Sequence, residues 1–255
     1  SASELQTVVN AYTAVLAAAD GTAANATTLP TAAQYTALGV TGLTGSTATA
    51  IANLLGDLID GLTSADVDTV AELQTLADAA SAVVGAASGA SVTLAQLQTL
   101  GITGVTAENL ATVQAALAAT NDTGSGVDSL AELQALATTA AAVYRLSSYD
   151  GTNTTPTTDD YTAAGVTGVT SANLNAINSA VAGLSSTSKD SAAELQTVVD
   201  AYAAVLAAAD GTATNATTLP TAAQYTALGI TGLTGSTATA TATATANLLG
   251  NLIDG

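Results

Sequence analysis

The chain repeats itself. Residues 1–50 and 191–240 align without a gap at an offset of 190 and differ at five positions: Ser3/Ala193, Asn10/Asp200, Thr13/Ala203, Ala24/Thr214 and Val40/Ile230. Beyond them the second copy carries a longer Thr-Ala tract, a net insertion of four residues. Two diverged copies lie between. Each copy opens on Glu-Leu-Gln, at Glu4, Glu72, Glu132 and Glu194, at spacings of 68, 60 and 62 residues. A second signature follows in every copy: "TAAQYTALGVTGLT" from Thr31, "TLAQLQTLGITGVT" from Thr93, "TTDDYTAAGVTGVT" from Thr157 and "TAAQYTALGITGLT" from Thr221. An apolar run then begins with Asn-Leu at Asn53, Asn109, Asn173 and Asn247. Self-similarity at such a period marks a repeat array, in which each unit is one supersecondary motif stacked on its neighbours.

The start of each repeat is written in capping chemistry. A Ser or Thr stands three residues before each Glu: Ser1 with Glu4, Thr69 with Glu72, Ser129 with Glu132 and Ser191 with Glu194. In such a capping box the hydroxyl accepts from the backbone N–H of the third helical residue, and the carboxylate reaches back to the N-cap N–H. The carboxylate also suits the positive end of the helix dipole. Four of the chain's five Glu sit at this position.

Behind the boxes the apolar spacing is helical. Leu5, Val8, Tyr12, Val15 and Leu16 form one stripe, as do Leu73, Leu76, Ala80, Val83 and Val84. The third copy has Leu133, Leu136, Ala140, Val143 and Tyr144, and the fourth Leu195, Val198, Tyr202, Val205 and Leu206. Asp20-Gly21, Asp150-Gly151 and Asp210-Gly211 are expected to end this first helix, with Gly left-handed.

A short second helix follows Pro30, Pro156 and Pro220, with Tyr35, Leu97, Tyr161 and Tyr225 facing the core. Gly39, Gly101, Gly165 and Gly229 stop it. A Val-Thr-Gly strap then leads to a third helix carrying Leu110, Val113 and Leu117 or Leu174, Ile177 and Val181. The expected fold is all-α: a tandem array of three-helix modules of about 60 residues, with extended straps between helices two and three. The modules run 1–68, 69–128, 129–190 and 191–255, the last a truncated near-copy of the first. A module of this size is marginal alone and is expected to lean on neighbours. The alternating Thr-Ala run at 236–246 also admits a strand, because Thr favours strands and the period is two.

Composition narrows function by exclusion. Arg145 and Lys189 are the only cations among 20 acids, giving a formal charge of -18. Two cations do not neutralise a phosphate backbone or bind an anionic membrane surface, so nucleic acid is not an expected partner. No apolar run reaches the length of a membrane span. Cys, His, Met, Trp and Phe are absent. Transition-metal sites and Ser–His or Cys–His nucleophiles therefore lack their usual groups. Asp159 and Asp160 beside Tyr161 resemble paired carboxylates, but a first-turn preference for acids explains them better. The chain is read as neither an enzyme nor the holder of a resident cofactor.

Loop carboxylates Asp20, Asp60, Asp150 and Asp210 are the candidates for Ca²⁺, a hard cation that takes oxygen ligands. Solubility explains dispersed acids as well. Four Asn-x-Thr sequons, at Asn25, Asn121, Asn153 and Asn215, fall in expected loops and are candidate glycan attachment points.

The segments "LGVTGLT" (Leu38–Thr44), "GITGVTAENLATVQAAL" (Gly101–Leu117) and "AAGVTGVTSANLNAINSAV" (Ala163–Val181), preceded by the Glu-Leu-Gln helices, resemble the Ala/Thr/Gly-rich tandem repeats of very large secreted bacterial surface proteins, of adhesin-like or biofilm-matrix type. The resemblance implies an extracellular or cell-surface setting and carries over no catalytic residue. It points to a structural protein forming a filament, surface layer or matrix fibre, with copies of itself or neighbouring repeats of a longer chain as partners. The alternatives are an adhesin segment gripping a glycan or a host or neighbour-cell surface, and a passive stalk. The abrupt start and stop suggest a window from a longer repetitive polypeptide. Absence of oxidisable Met and Cys, and scarcity of tryptic sites, suit such a setting.

Overall fold

The computed structural model describes residues 1–22, 28–121, 123–209, 218–232, 249, 250 and 253. Among these residues regular structure is helical throughout. Eleven α-helices and three short 3₁₀ turns occur, with no strand beyond an isolated bridge between Asp20 and Thr63. The helices are α1 (Ala2–Ala18), α2 (Ala32–Ala37), α3 (Ala48–Asp60), α4 (Val70–Ala86), α5 (Leu94–Thr99), α6 (Leu110–Ala118), α7 (Leu130–Ser147), α8 (Thr158–Ala163), α9 (Leu174–Gly183), α10 (Ala192–Ala208) and α11 (Ala222–Ala227). The tract at 236–246 lies outside the described residues. The chain divides into two compact units, Ser1–Ala141 and Ala142–Gly255, with the division inside α7.

In the first unit α1 packs on α2 and α3, α3 on α4, and α4 on α5 and α6. One core runs through them, with Val15, Tyr35, Leu54, Leu55, Ile59, Leu73, Val83, Leu97, Leu117 and Leu133 all fully or almost fully buried. In the second unit α10 packs on α9 and α11 around Leu146, Tyr161, Ile177, Val181 and Leu195.

The long helices α1, α4, α7 and α10 each start at a Glu-Leu-Gln. Their Ala content lowers the entropic cost of helix formation. The short helices α2, α5, α8 and α11 have six residues each, too few to persist without caps at both ends. Each begins at a Thr N-cap and ends in a Schellman motif. In α2, Gly39 N–H donates to Thr36 O at 3.0 Å and Val40 N–H to Tyr35 O at 3.1 Å. The same pair recurs at Gly101/Ile102, Gly165/Val166 and Gly229/Ile230. The motif needs a left-handed residue, and Gly39 (φ +91°) supplies it without a Cβ penalty.

Asp20-Gly21 and Asp150-Gly151 behave differently from the expectation, and Asp210-Gly211 lies outside the described residues. Helix α1 already ends at Ala18, and α7 ends at Ser147, short of Asp150. Gly21 and Gly151 are left-handed at φ +74° and +87°, but they belong to turns closed by the Asp side chains rather than to the helix caps.

The first stripe also departs from its copies. Leu73, Leu133 and Leu195 are 1%, 0% and 0% exposed, whereas Leu5, at the same register, is 70% exposed. Val8 and Val9 are exposed too. Among the described residues no strap is held on α1 as one is on each of its counterparts.

One buried layer shows how the copies solve the same packing problem differently. Tyr161 donates its hydroxyl hydrogen to Asn178 Oδ1 at 2.7 Å, and Asn178 Nδ2 donates to Pro156 O at 2.9 Å. Where Leu97 replaces the Tyr, Gln114 still reaches the equivalent carbonyl, of Val92, at 2.6 Å. Counted from the Asn-Leu, Leu58 stands at that register in the first copy, and the buried Tyr35 hydroxyl has no hydrogen-bond partner. Burial pushes the ionisation of both Tyr35 and Tyr161 well above the usual phenol range.

Opposite mutational outcomes follow. Tyr161→Phe strands Asn178 Oδ1 and is expected to cost about 1–3 kcal/mol, whereas Tyr35→Phe removes an already unsatisfied group and is expected to be neutral or stabilising. Urea denaturation of the two variants checks this; equal losses would remove the distinction.

Lys189 is another local substitution. At 2% exposed it occupies the register of the buried Val67 and Val127, and its ammonium donates to the carbonyls of Tyr149 and Val181. Burial lowers its pKa, opposed by the nearby Asp150.

Candidate functional site

What recurs is a set of hydrogen-bonded joints. The capping boxes are formed at Ser1–Glu4, Thr69–Glu72 and Ser191–Glu194, where hydroxyl and carboxylate each reach the other residue's backbone N–H. At Ser1 the carboxylate takes the chain's amino group. Ser129 Oγ accepts from Glu132 N at 3.3 Å and donates to the Glu132 carboxylate at 3.1 Å.

Four further boxes open the short helices: Thr31–Gln34, Thr93–Gln96, Thr157–Asp160 and Thr221–Gln224. Their signal in the sequence is Thr-x-x-Gln in three copies and Thr-x-x-Asp in the third. Asp160 thus does the work of the Gln in the other copies. Its second oxygen takes Arg145 Nε at 3.3 Å.

The Gln of Glu-Leu-Gln does something a local pattern does not reveal. Gln74 Oε1 accepts from Thr41 N at 2.8 Å, and Gln74 Nε2 donates to Thr41 O at 3.3 Å. Gln134 holds Thr103 in the same way, at 2.9 and 3.1 Å. Gln196 holds Thr167, at 2.8 and 3.2 Å. One side-chain amide therefore satisfies both backbone polar groups of the strap Thr in the preceding repeat, as a neighbouring strand would. Val40, Ile102 and Val166, just before those Thr, are 1%, 6% and 3% exposed. The clamp and the buried aliphatic together join strap to helix.

The carboxylate candidates are largely occupied by their own loops. Asp20 Oδ1 accepts from Thr22 N at 2.8 Å and from its hydroxyl at 2.6 Å, and the hydroxyl bond in particular holds the carboxyl below its ordinary pKa. Asp150 is held down similarly, first by the Thr152 N–H and then by its hydroxyl. Asp60 is not a loop carboxylate: it is the last residue of α3, 2% exposed, with Oδ1 unpartnered. Asp210 lies outside the described residues. Among the described residues no cluster of three or more acids converges on a metal-sized site.

Of the sequons, Asn25 and Asn215 lie outside the described residues. Asn121 and Asn153 are exposed. Asn153 Nδ2, the atom a glycan would occupy, donates to Ser148 O at 2.9 Å. Asn121 instead anchors its turn through Oδ1, which accepts from Thr123 N at 2.8 Å. A hollow of about 260 Å³ beside Asn153 is lined by Tyr144, Arg145, Ser148, Asn153 and Thr154. No described helix is long and apolar enough to cross a membrane.

Two of the caps carry a carboxylate that its own hydrogen bonds hold ionised. The Thr69 hydroxyl, followed by its N–H, holds Glu72 below the usual carboxylate range, and the Ser191 hydroxyl does the same for Glu194. A depressed folded-state pKa contributes stability at neutral pH that is lost as pH falls through it. Gln96 and Gln224 do not titrate. Hydrogen exchange below about pH 4 is therefore expected to show lost protection in the first turns of α4 and α10 but not of α5 and α11. Uniform loss at all four starts would contradict the assignment.

Compared with family models, curated proteins and solved structures, the chain matches none.

Proposed function

We propose that this chain is an extracellular structural repeat protein whose tandem three-helix modules, 1–68, 69–128, 129–190 and 191–255, build a filament, surface layer or biofilm-matrix fibre. The observation that carries the reading is the Gln clamp, repeated at Gln74, Gln134 and Gln196, by which each Glu-Leu-Gln helix seizes the strap before it. A joint remade at every repeat is the device of a solenoid, where stability is close to additive over units and interfaces. The negative surface keeps such material dispersed until its ends meet.

A second reading, an adhesin segment, is favoured by one observation: the hollow lined by Tyr144 and Arg145, which offers an aromatic edge and a guanidinium to a polar ligand such as a glycan. Electron microscopy of the purified protein distinguishes the two. Ordered polymers are expected from the structural reading, and separate particles that bind a glycan array would replace it with the second. Intact-mass measurement of secreted material reports any covalent glycan.

A further inference from the structure

We propose that the exposed face of α1 and the Ile230–Gly232 strap are complementary surfaces, and that α1 of one copy takes this strap of a second copy in the arrangement that Gln196 and Thr167 adopt inside the molecule. The inference rests on the structural reading above and specifies the surface that performs it.

Helix α1 presents Leu5, Val8 and Val9, which are 70%, 42% and 57% exposed. Their counterparts in α10, Leu195, Val198 and Val199, are 0%, 2% and 3% exposed. The contact that covers α10 includes the strap: a Cβ on Gly168 would lie 3.4 Å from Val199 Cγ1. Between Leu5 and Val8 stands Gln6. Its Nε2 donates to Asn10 Oδ1 at 2.8 Å, as Gln74 does to Asp78 at 2.7 Å and Gln196 to Asp200 at 2.8 Å. The amide is held in the clamping pose, yet among the described residues no strap occupies it.

On the strap, Ile230 is 41% exposed, against 1%, 6% and 3% for Val40, Ile102 and Val166 at the same register. Its Schellman motif is formed, Ile230 N donating to Tyr225 O at 3.0 Å, and Gly232 is left-handed at φ +85° like its counterparts. The strap is built, and no described residue clamps Thr231. Each surface leaves exposed what its interior counterparts bury. Such a contact is heterologous and does not close on itself, so it propagates head to tail. Because each copy carries a charge of -18, association is expected to strengthen with salt.

The chain contains no Cys, so a pair of introduced thiols reads the contact directly. Gln6→Cys and Thr231→Cys, each as a separate full-length variant, are mixed and oxidised at high protein concentration and 0.5 M salt, as an order-of-magnitude choice for screening. A disulfide-linked heterodimer is expected in several-fold excess over that from Gln6→Cys mixed with Ser185→Cys, an exposed site far from either end in sequence. A further Val9→Glu substitution, at a position already open to water, is expected to abolish the excess with circular dichroism unchanged. Equal cross-linking to both partners, or an excess untouched by Val9→Glu, overturns the proposal. Polymers that still form with Val9→Glu would overturn this docking while leaving the structural reading intact. Particles that never polymerise, with native circular dichroism, would overturn both.

Discussion

Leu133→Ala is expected to cost about 2–5 kcal/mol, while Leu5→Ala at the same register of another copy is expected to change stability by no more than about 0.5 kcal/mol. The residues share a sequence context, Glu-Leu-Gln, and a helix start. They differ in what covers them: Leu133 is 0% exposed and Leu5 70% exposed. Truncating Leu133 removes transfer free energy and leaves a cavity that close-packed neighbours fill only in part. Truncating Leu5 leaves water where water already was. Chemical denaturation at low protein concentration, where copies are apart, measures both. A large loss from Leu5→Ala under those conditions would mean that α1 is covered in the monomer.

Gly124→Ala is expected to be comparably severe, about 2–5 kcal/mol, through two additive costs. Gly124 is left-handed at φ +76°, which a Cβ disfavours. That Cβ would also lie 2.5 Å from Val84 Cγ1 and 3.1 Å from Ala50 Cβ, both in the packed interior of the first unit. Gly101→Ala separates the terms. Gly101 has nearly the same φ, +74°, and nothing within 4 Å of its would-be Cβ. It should cost only the backbone term, about 1–2 kcal/mol. Equal losses at the two sites would show that the loop carrying Gly124 relaxes away from α4.

The elements that sequence made visible are those whose chemistry is local. A Ser or Thr and its Glu lie three residues apart, and the apolar stripe behind them has one period, so α1, α4, α7 and α10 could be placed from pattern alone. The stops at Gly39 and its equivalents were visible for the same reason. The Gln clamp was not, because Gln74 meets Thr41 across 33 positions and both are common exposed polar residues. Periodicity put Leu5 on a core face and could not say whether that face has a neighbour. Asp60 is expected among the loop acids, whereas α3 runs to Asp60 and buries it. A dipole preference accounts for Asp160 only in part, because its Oδ2 also accepts from the N–H of Thr157, at 2.7 Å.

The clamp has a further consequence. Gln74 grips the N–H and C=O of Thr41, atoms common to every residue but proline at the N–H, with only a 3.2 Å hydroxyl contact added by the Thr itself. A grip on main-chain atoms is nearly indifferent to the spelling of what it holds. A newly copied stretch of gene can therefore be spliced after any older one and still find its seat, which lets such a chain lengthen by duplication without co-adapting each junction.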